Sequence, residues 1–197
     1  MWEDGRVTAI VVAAGIVLPL IAGLLISRRS RSRVIRSPTV ERSDRVYLGL
    51  RDRALHAKRE ELGLAAPAQS TLPWAVMMDW GVSHGTATVL AVADGTASIY
   101  LSTGGGSIGG GQSHEAIRSA ARSAVAVATE LHSQLSPTST YPLPKLGDVF
   151  FYAMTDAGVF TSGGKQEEFS NHLHPLSKLG DALQQVITQY RVLENRK

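Results

Sequence analysis

The sequence predicts an α+β protein: a two-layer domain with a mainly antiparallel five-stranded sheet and two to three helices, behind one N-terminal transmembrane helix. Three observations predict it. Twenty residues from Val7 to Ile26 carry no charge. After Trp74, short strand-like runs follow one another with a tight-turn signal between them. Longer stretches with apolar residues at intervals of three and four interrupt and follow those runs, the spacing of a helix face.

The segment Val7–Ile26 reads VTAIVVAAGIVLPLIAGLLI. At about 1.5 Å rise per residue, such a helix covers the roughly 30 Å hydrocarbon core of a bilayer. A cleaved signal peptide needs a basic start and a shorter apolar run. Here the chain opens on Trp2-Glu3-Asp4-Gly5-Arg6, and arginines follow the apolar run at once. Basic residues are retained on the cytoplasmic side. Arg28, Arg29, Arg31, Arg33, Arg36, Arg42 and Arg45 stand after the segment, against Arg6 before it. The expected location is the bacterial inner membrane, single-pass, with the N-terminus outside and the bulk of the chain cytoplasmic. Trp2, Arg28, Arg29, Arg31 and Arg33 are expected at the membrane interfaces. Gly15, Pro19 and Gly23 are spaced by four and stack on one helix face. Small residues there let a second helix approach, although Gly and Pro are also common in membrane helices generally.

Charge and composition exclude several functions. The 197 residues include no cysteine, which rules out disulfides, thiolate metal sites and a cysteine nucleophile. The net charge of +3 is unevenly placed. Residues 28–45 hold seven arginines against Glu41 and Asp44, whereas 46–197 hold 12 basic and 13 acidic residues. The excess positive charge therefore belongs beside anionic lipid head groups. Nucleic-acid binding would want it spread over a domain face.

The organisation follows as an anchor over 1–27, a basic tether over 28–42, an amphipathic helix and linker over 43–73, and the domain over 74–197. Ser43 reads as the N-cap of a helix running to Leu62, with Gly63 ending it. Its apolar positions include Val46, Leu50, Ala54, Leu55 and Leu62, while Arg51, Asp52 and Arg53 are expected to face water or a partner. Trp74–Trp80 is nearly continuously apolar, as a strand covered on both faces would be. Thr86–Ala93 and Thr96–Leu101 follow, joined by Asp94-Gly95 in an expected type I′ hairpin turn.

A glycine-rich loop, Thr103–Gly111, leads to a helix over Ser113–Leu135 whose face includes Ile117, Ala121, Ala124 and Ala128. Pro137–Pro144 reads as a loop, and Asp148–Thr155 with Val159–Thr161 as a second hairpin. The last helix has Pro175 in its first turn. Leu176, Leu179, Leu183, Val186, Tyr190 and Leu193 follow at alternating steps of three and four. Such a seam either docks on the sheet or pairs with another chain.

No catalytic residue, metal site or cofactor is assigned. Gly104-Gly105-Gly106-Ser107-Ile108-Gly109 satisfies a dinucleotide fingerprint formally, yet the strand before it leaves a hairpin, and the fingerprint needs a parallel βαβ unit. Exposed amides at a helix N-terminus nevertheless favour anions. The candidate ligand-binding residues are therefore Gly104, Gly105, Gly106, Ser107, Gln112, Ser113 and His114; otherwise the tract is a flexible loop, a tight turn where another backbone comes close, or a protein contact. His172 and His174 lack the spacing of a metal pair and read as capping or surface residues. Ser83, His84 and Asp79 offer nucleophile, base and acid, but their spacing does not assemble them. Asp79 itself either finds a buried partner or, the reading preferred here, caps the turn after its strand.

The order helix, three strands, helix, two strands, helix over Ser43–Arg196 resembles the roadblock/longin (profilin-like) class. That resemblance implies a dimerisation or scaffolding module without catalysis. The expected function is a membrane-anchored, non-catalytic accessory or scaffold subunit of a larger inner-membrane complex, with energy-transducing complexes, respiratory or photosynthetic, as candidate hosts. Its expected partners are membrane lipids and other subunits or a second copy, with no nucleic acid. The alternative is a membrane-tethered sensor binding a small anionic ligand at 103–114.

Overall fold

A central sheet of seven strands, all antiparallel, orders the domain in a computed structural model that describes residues 38–67 and 69–195. These belong to one compact unit, 36–197; the other unit, 1–35, lies outside the described residues. Helix α1 spans Pro38–His56 and is followed by a 3₁₀ turn over Arg59–Leu62. Strands β1 (Ala75–Val82), β2 (Gly85–Val92), β3 (Ala97–Leu101) and β4 (Gly106–Ile108) form a meander. Helix α2 (Glu115–Glu130) leads to β5 (Ser136–Thr138), β6 (Asp148–Thr155) and β7 (Gly158–Lys165). A short α3 (Gln166–Ser170) precedes the long C-terminal α4 (Ser177–Glu194). The strand order is β4-β3-β2-β1-β6-β7-β5, so β1 lies at the centre.

Alternation along the strands divides the core in two. Val76 and Met78 of β1, with Val89, Ala91, Phe151 and Ala153, face α2 and α4. Ala75 and Met77, with Val92, Tyr152 and Met154, face the side where Leu55 of α1 packs. Both sheet faces are thus covered, which is why β1 carries apolar residues at successive positions. The alanines of α2 (Ala121, Ala124, Ala128) are fully buried and let that helix lie close to the sheet and α4. Leu176, Leu179, Leu183 and Val186 are fully buried as well, so the seam of α4 is used within the chain.

The expected architecture needs three corrections. The sheet has seven strands, not five, because two three-residue strands, β4 and β5, extend its edges by pairing with β3 and β7. Helices cover both faces, giving three layers where two were expected. Among the described residues no helix is long and apolar enough to cross a membrane, which corrects the picture of a transmembrane helix followed by a domain. The first described helix, α1, is amphipathic and charged, with Tyr47, Arg51 and Leu55 inward and Asp52 and Arg53 outward. The segment Val7–Ile26 named for the span lies outside the described residues, as do Trp2, Gly15, Pro19, Gly23, Arg28, Arg29, Arg31 and Arg33.

Local differences have local causes. Helix α1 starts at Pro38, inside the expected tether, and ends at His56, while Gly63 caps the separate 3₁₀ turn in a left-handed conformation. The hairpin at Asp94-Gly95 is not type I′: Gly95, at φ 94°, is the one residue of that turn with positive φ. The Gly95 amide donates to the Val92 carbonyl and the Val92 amide to Thr96, making a three-residue loop closed by a left-handed glycine.

Candidate functional site

The most chemically charged place in the domain lies between α1 and the sheet. Tyr47, Arg51 and Leu55 recur at every fourth position of α1 and so share one face. That face lies over β1 and β2, where Asp79 and Thr88 are paired neighbours. Asp79 is fully buried. Arg51 donates its Nε proton to Oδ2 at 2.7 Å, and its Nη2 stands 2.7 Å from the same oxygen as an ion pair. Thr88 donates its hydroxyl to Oδ1, and with that proton committed its oxygen accepts from the Tyr47 hydroxyl at 2.9 Å. The Pro142 carbonyl receives Arg51 Nη2 at 3.3 Å and the Tyr152 hydroxyl at 3.1 Å. The guanidinium also stands 5.6 Å from the centre of the Tyr152 ring.

Electrostatics follow from burial. Burial raises the Asp79 carboxyl above its ordinary value, while Arg51 and the Thr88 hydrogen bond pull it down. For Arg51, burial acts downward but the Asp79 charge and hydrogen bond outweigh it, so the guanidinium is raised. The upward shift favours the charged form of Arg51 and the neutral form of Asp79. The geometry decides between them: each Asp79 oxygen accepts a hydrogen bond, from Arg51 Nε and from the Thr88 hydroxyl, and the guanidinium charge lies against Oδ2, an arrangement that suits the carboxylate. Burial, then the Asp79 charge, pushes Tyr47 and Tyr152 up to about 12 from an ordinary 10.0.

A folded-state pKa above the unfolded one means that the neutral phenol is favoured by folding. Their contribution is intact below about pH 10 and lost as pH rises from there through 12. Alkaline titration is therefore expected to remove up to about 3 kcal/mol per tyrosine across that window. Tyr47→Phe should flatten that limb in pH-dependent unfolding followed by circular dichroism; an unchanged slope would contradict the assignment.

The glycine-rich tract is built as a sequence of close approaches. Gly104, Gly105 and Gly106 have φ of 99°, 87° and 141° and turn the chain from β3 into β4. A Cβ on Gly106 would lie 2.1 Å from the Ile99 carbonyl oxygen. The amides are engaged within the chain: Gly104 donates to Leu101, Gly109 to Ser98 Oγ, Gly110 to the Tyr190 hydroxyl and Gln112 to Gly109. Tyr190 in turn donates to the Ala97 carbonyl at 2.7 Å, so α4 ties the tract to β3. Arg118 donates to the carbonyls of Gly111 and Gln112. Ser107 is half-buried on β4, Gln112 and Ser113 are exposed, and His114 is the residue just before α2, with no capping hydrogen bond from its side chain. The tract thus has the form of a tight turn held by neighbouring backbone.

The other candidates separate. Ser83 and His84 are exposed at the two-residue β1–β2 turn, whereas Asp79 is buried under α1 and bound to Arg51 and Thr88. Asp79 therefore caps no turn. His174 accepts the Leu176 amide at 3.1 Å and its ring lies tilted against Phe169 with centroids 4.3 Å apart, while His172 lies 3.6 Å from Asp181 at the surface. Among the described residues no three His, Asp or Glu side chains converge as a metal ion would require.

Sequence reasoning missed Arg51, Tyr47 and Thr88. The available signal was the four-residue spacing of Tyr47, Arg51 and Leu55, which places the arginine on the apolar face of its helix. The chain matches no protein-family model, no curated protein and no solved structure.

Proposed function

We propose that the protein is a non-catalytic accessory or scaffold subunit of a larger inner-membrane assembly, with its α+β domain on the cytoplasmic side. One observation carries this reading. The groups best suited to chemistry, Asp79 and Arg51 with Tyr47 and Thr88, are satisfied by one another and fix α1 on the sheet. The helix that carries Arg42 and Arg45, the last two of the clustered arginines, is thereby set firmly against the domain, which suits transmission of position between bound partners. Helix α1 also carries Val46 and Leu48 at 57% and 44% exposure, apolar surface available to a partner. The roadblock/longin resemblance points the same way.

Affinity purification from native membranes in mild detergent tests the proposal. The full-length chain is expected to co-elute with defined partners, and Val46→Ser with Leu48→Ser is expected to reduce their recovery several-fold. A monodisperse monomer with nothing bound would refute it.

A further inference from the structure

A crevice of about 210 Å³ opens between the sheet and the α3–α4 corner, on the face opposite the ionic clasp. Its floor includes Trp80, Phe151 and Phe169, and its rim Gln166, Asp181 and Gln184. Phe151 and Phe169 meet edge to face with centroids 5.3 Å apart, and the Trp80 indole is held by its Nε1 proton, donated to Gln166 at 2.8 Å. Three aromatic side chains are therefore fixed around one space. The lining includes one carboxylate, Asp181, and no lysine or arginine.

Gly180 supplies the second observation. It sits in the first turns of α4 and lines the crevice. A Cβ there would stand 3.7 Å from Phe151 Cζ, an ordinary contact. Alanine fits and would favour the helix, yet the position is glycine, which leaves the space open.

We propose that this crevice binds a small organic ammonium ion carrying one aromatic ring. Aromatic side chains pack offset or edge to face against a further ring, and the rim carboxylate supplies the charge that an ammonium group matches. A dry cavity of about 150 Å³ holds benzene, so 210 Å³ admits one ring with a short aminoalkyl arm. The ammonium group meets Asp181, whose side chain is 63% exposed and stands 3.6 Å from His172 Nδ1. The ring lies against the aromatic floor.

Calorimetric titration of the full-length protein with phenethylammonium tests this, with 2-phenylethanol and phenylacetate as neutral and anionic probes. Saturable binding of the ammonium is expected, with both other probes about two- to fivefold weaker. Asp181→Asn, at a side chain 63% exposed, should erase most of that preference. Gly180→Leu should abolish binding, while Gly180→Ala keeps the fold and weakens binding by a smaller factor. Equal affinity for the three probes, no saturation by phenethylammonium, or unchanged binding in Gly180→Leu would each overturn the proposal.

Discussion

Asp79→Ala is expected to destabilise the domain by about 3–5 kcal/mol, because it leaves the Arg51 guanidinium buried without its counter-charge. Arg51 is 6% exposed and Asp79 is fully buried, so water cannot take over the lost interaction. The same change strands the Thr88 hydroxyl, which donates to Asp79 while accepting from Tyr47. The pair taken as a whole is a different matter. Desolvating two charges offsets much of their attraction, so Arg51→Met combined with Asp79→Leu is expected to recover most of the lost stability. Urea unfolding of the wild type, the single variant and the double variant measures both. A single-variant loss below about 1 kcal/mol would show that the clasp does not hold α1.

Gly111→Ala carries the second large effect. A Cβ at that position would lie 1.8 Å from the Gly95 carbonyl oxygen and 2.9 Å from its carbon, both backbone atoms that no rotamer change can move. The β2–β3 turn and the 110–112 turn ahead of α2 would have to separate, at a cost of about 3 kcal/mol. Gly49→Ala is the informative contrast. Gly49 is in the interior of α1 with no atom within 4 Å of an added Cβ, so alanine there should stabilise by up to about 1 kcal/mol. Thermal unfolding of the two variants should move in opposite directions. Equal shifts would remove the steric account of the glycine tract.

What could be read from the residues depended on how local the cause was. The β2–β3 hairpin was visible because Asp94-Gly95 punctuates two apolar runs, although the turn itself proved to be of another type. Helix α4 was visible because its seam repeats five times, and the docking reading of that seam is the one the burial of Leu179 and Leu183 supports. Strand β4 was hidden because Gly106-Ser107-Ile108 has no strand pattern of its own. Its conformation comes from pairing with Ser98–Tyr100. The far half of β7, Ser162-Gly163-Gly164, reads as loop for the same reason, yet it pairs with Val149–Phe151 of β6. Arg51 was hidden by its type. A charged residue argues for water, and its partner lies 28 residues away on a strand the helix had first to meet.

The central position of β1 has a consequence for synthesis. Its partner on one side, β2, follows after a two-residue turn, but its partner on the other side is β6, which begins at Asp148. A ribosome that has released Ala75-Val76-Met77-Met78 must add some seventy further residues before that side of the strand is paired. At about 5–20 residues per second, this apolar edge is open for several seconds. Unpaired apolar edges join other chains. Until the second half of the sheet arrives, that side of β1 is open to pairing with another chain.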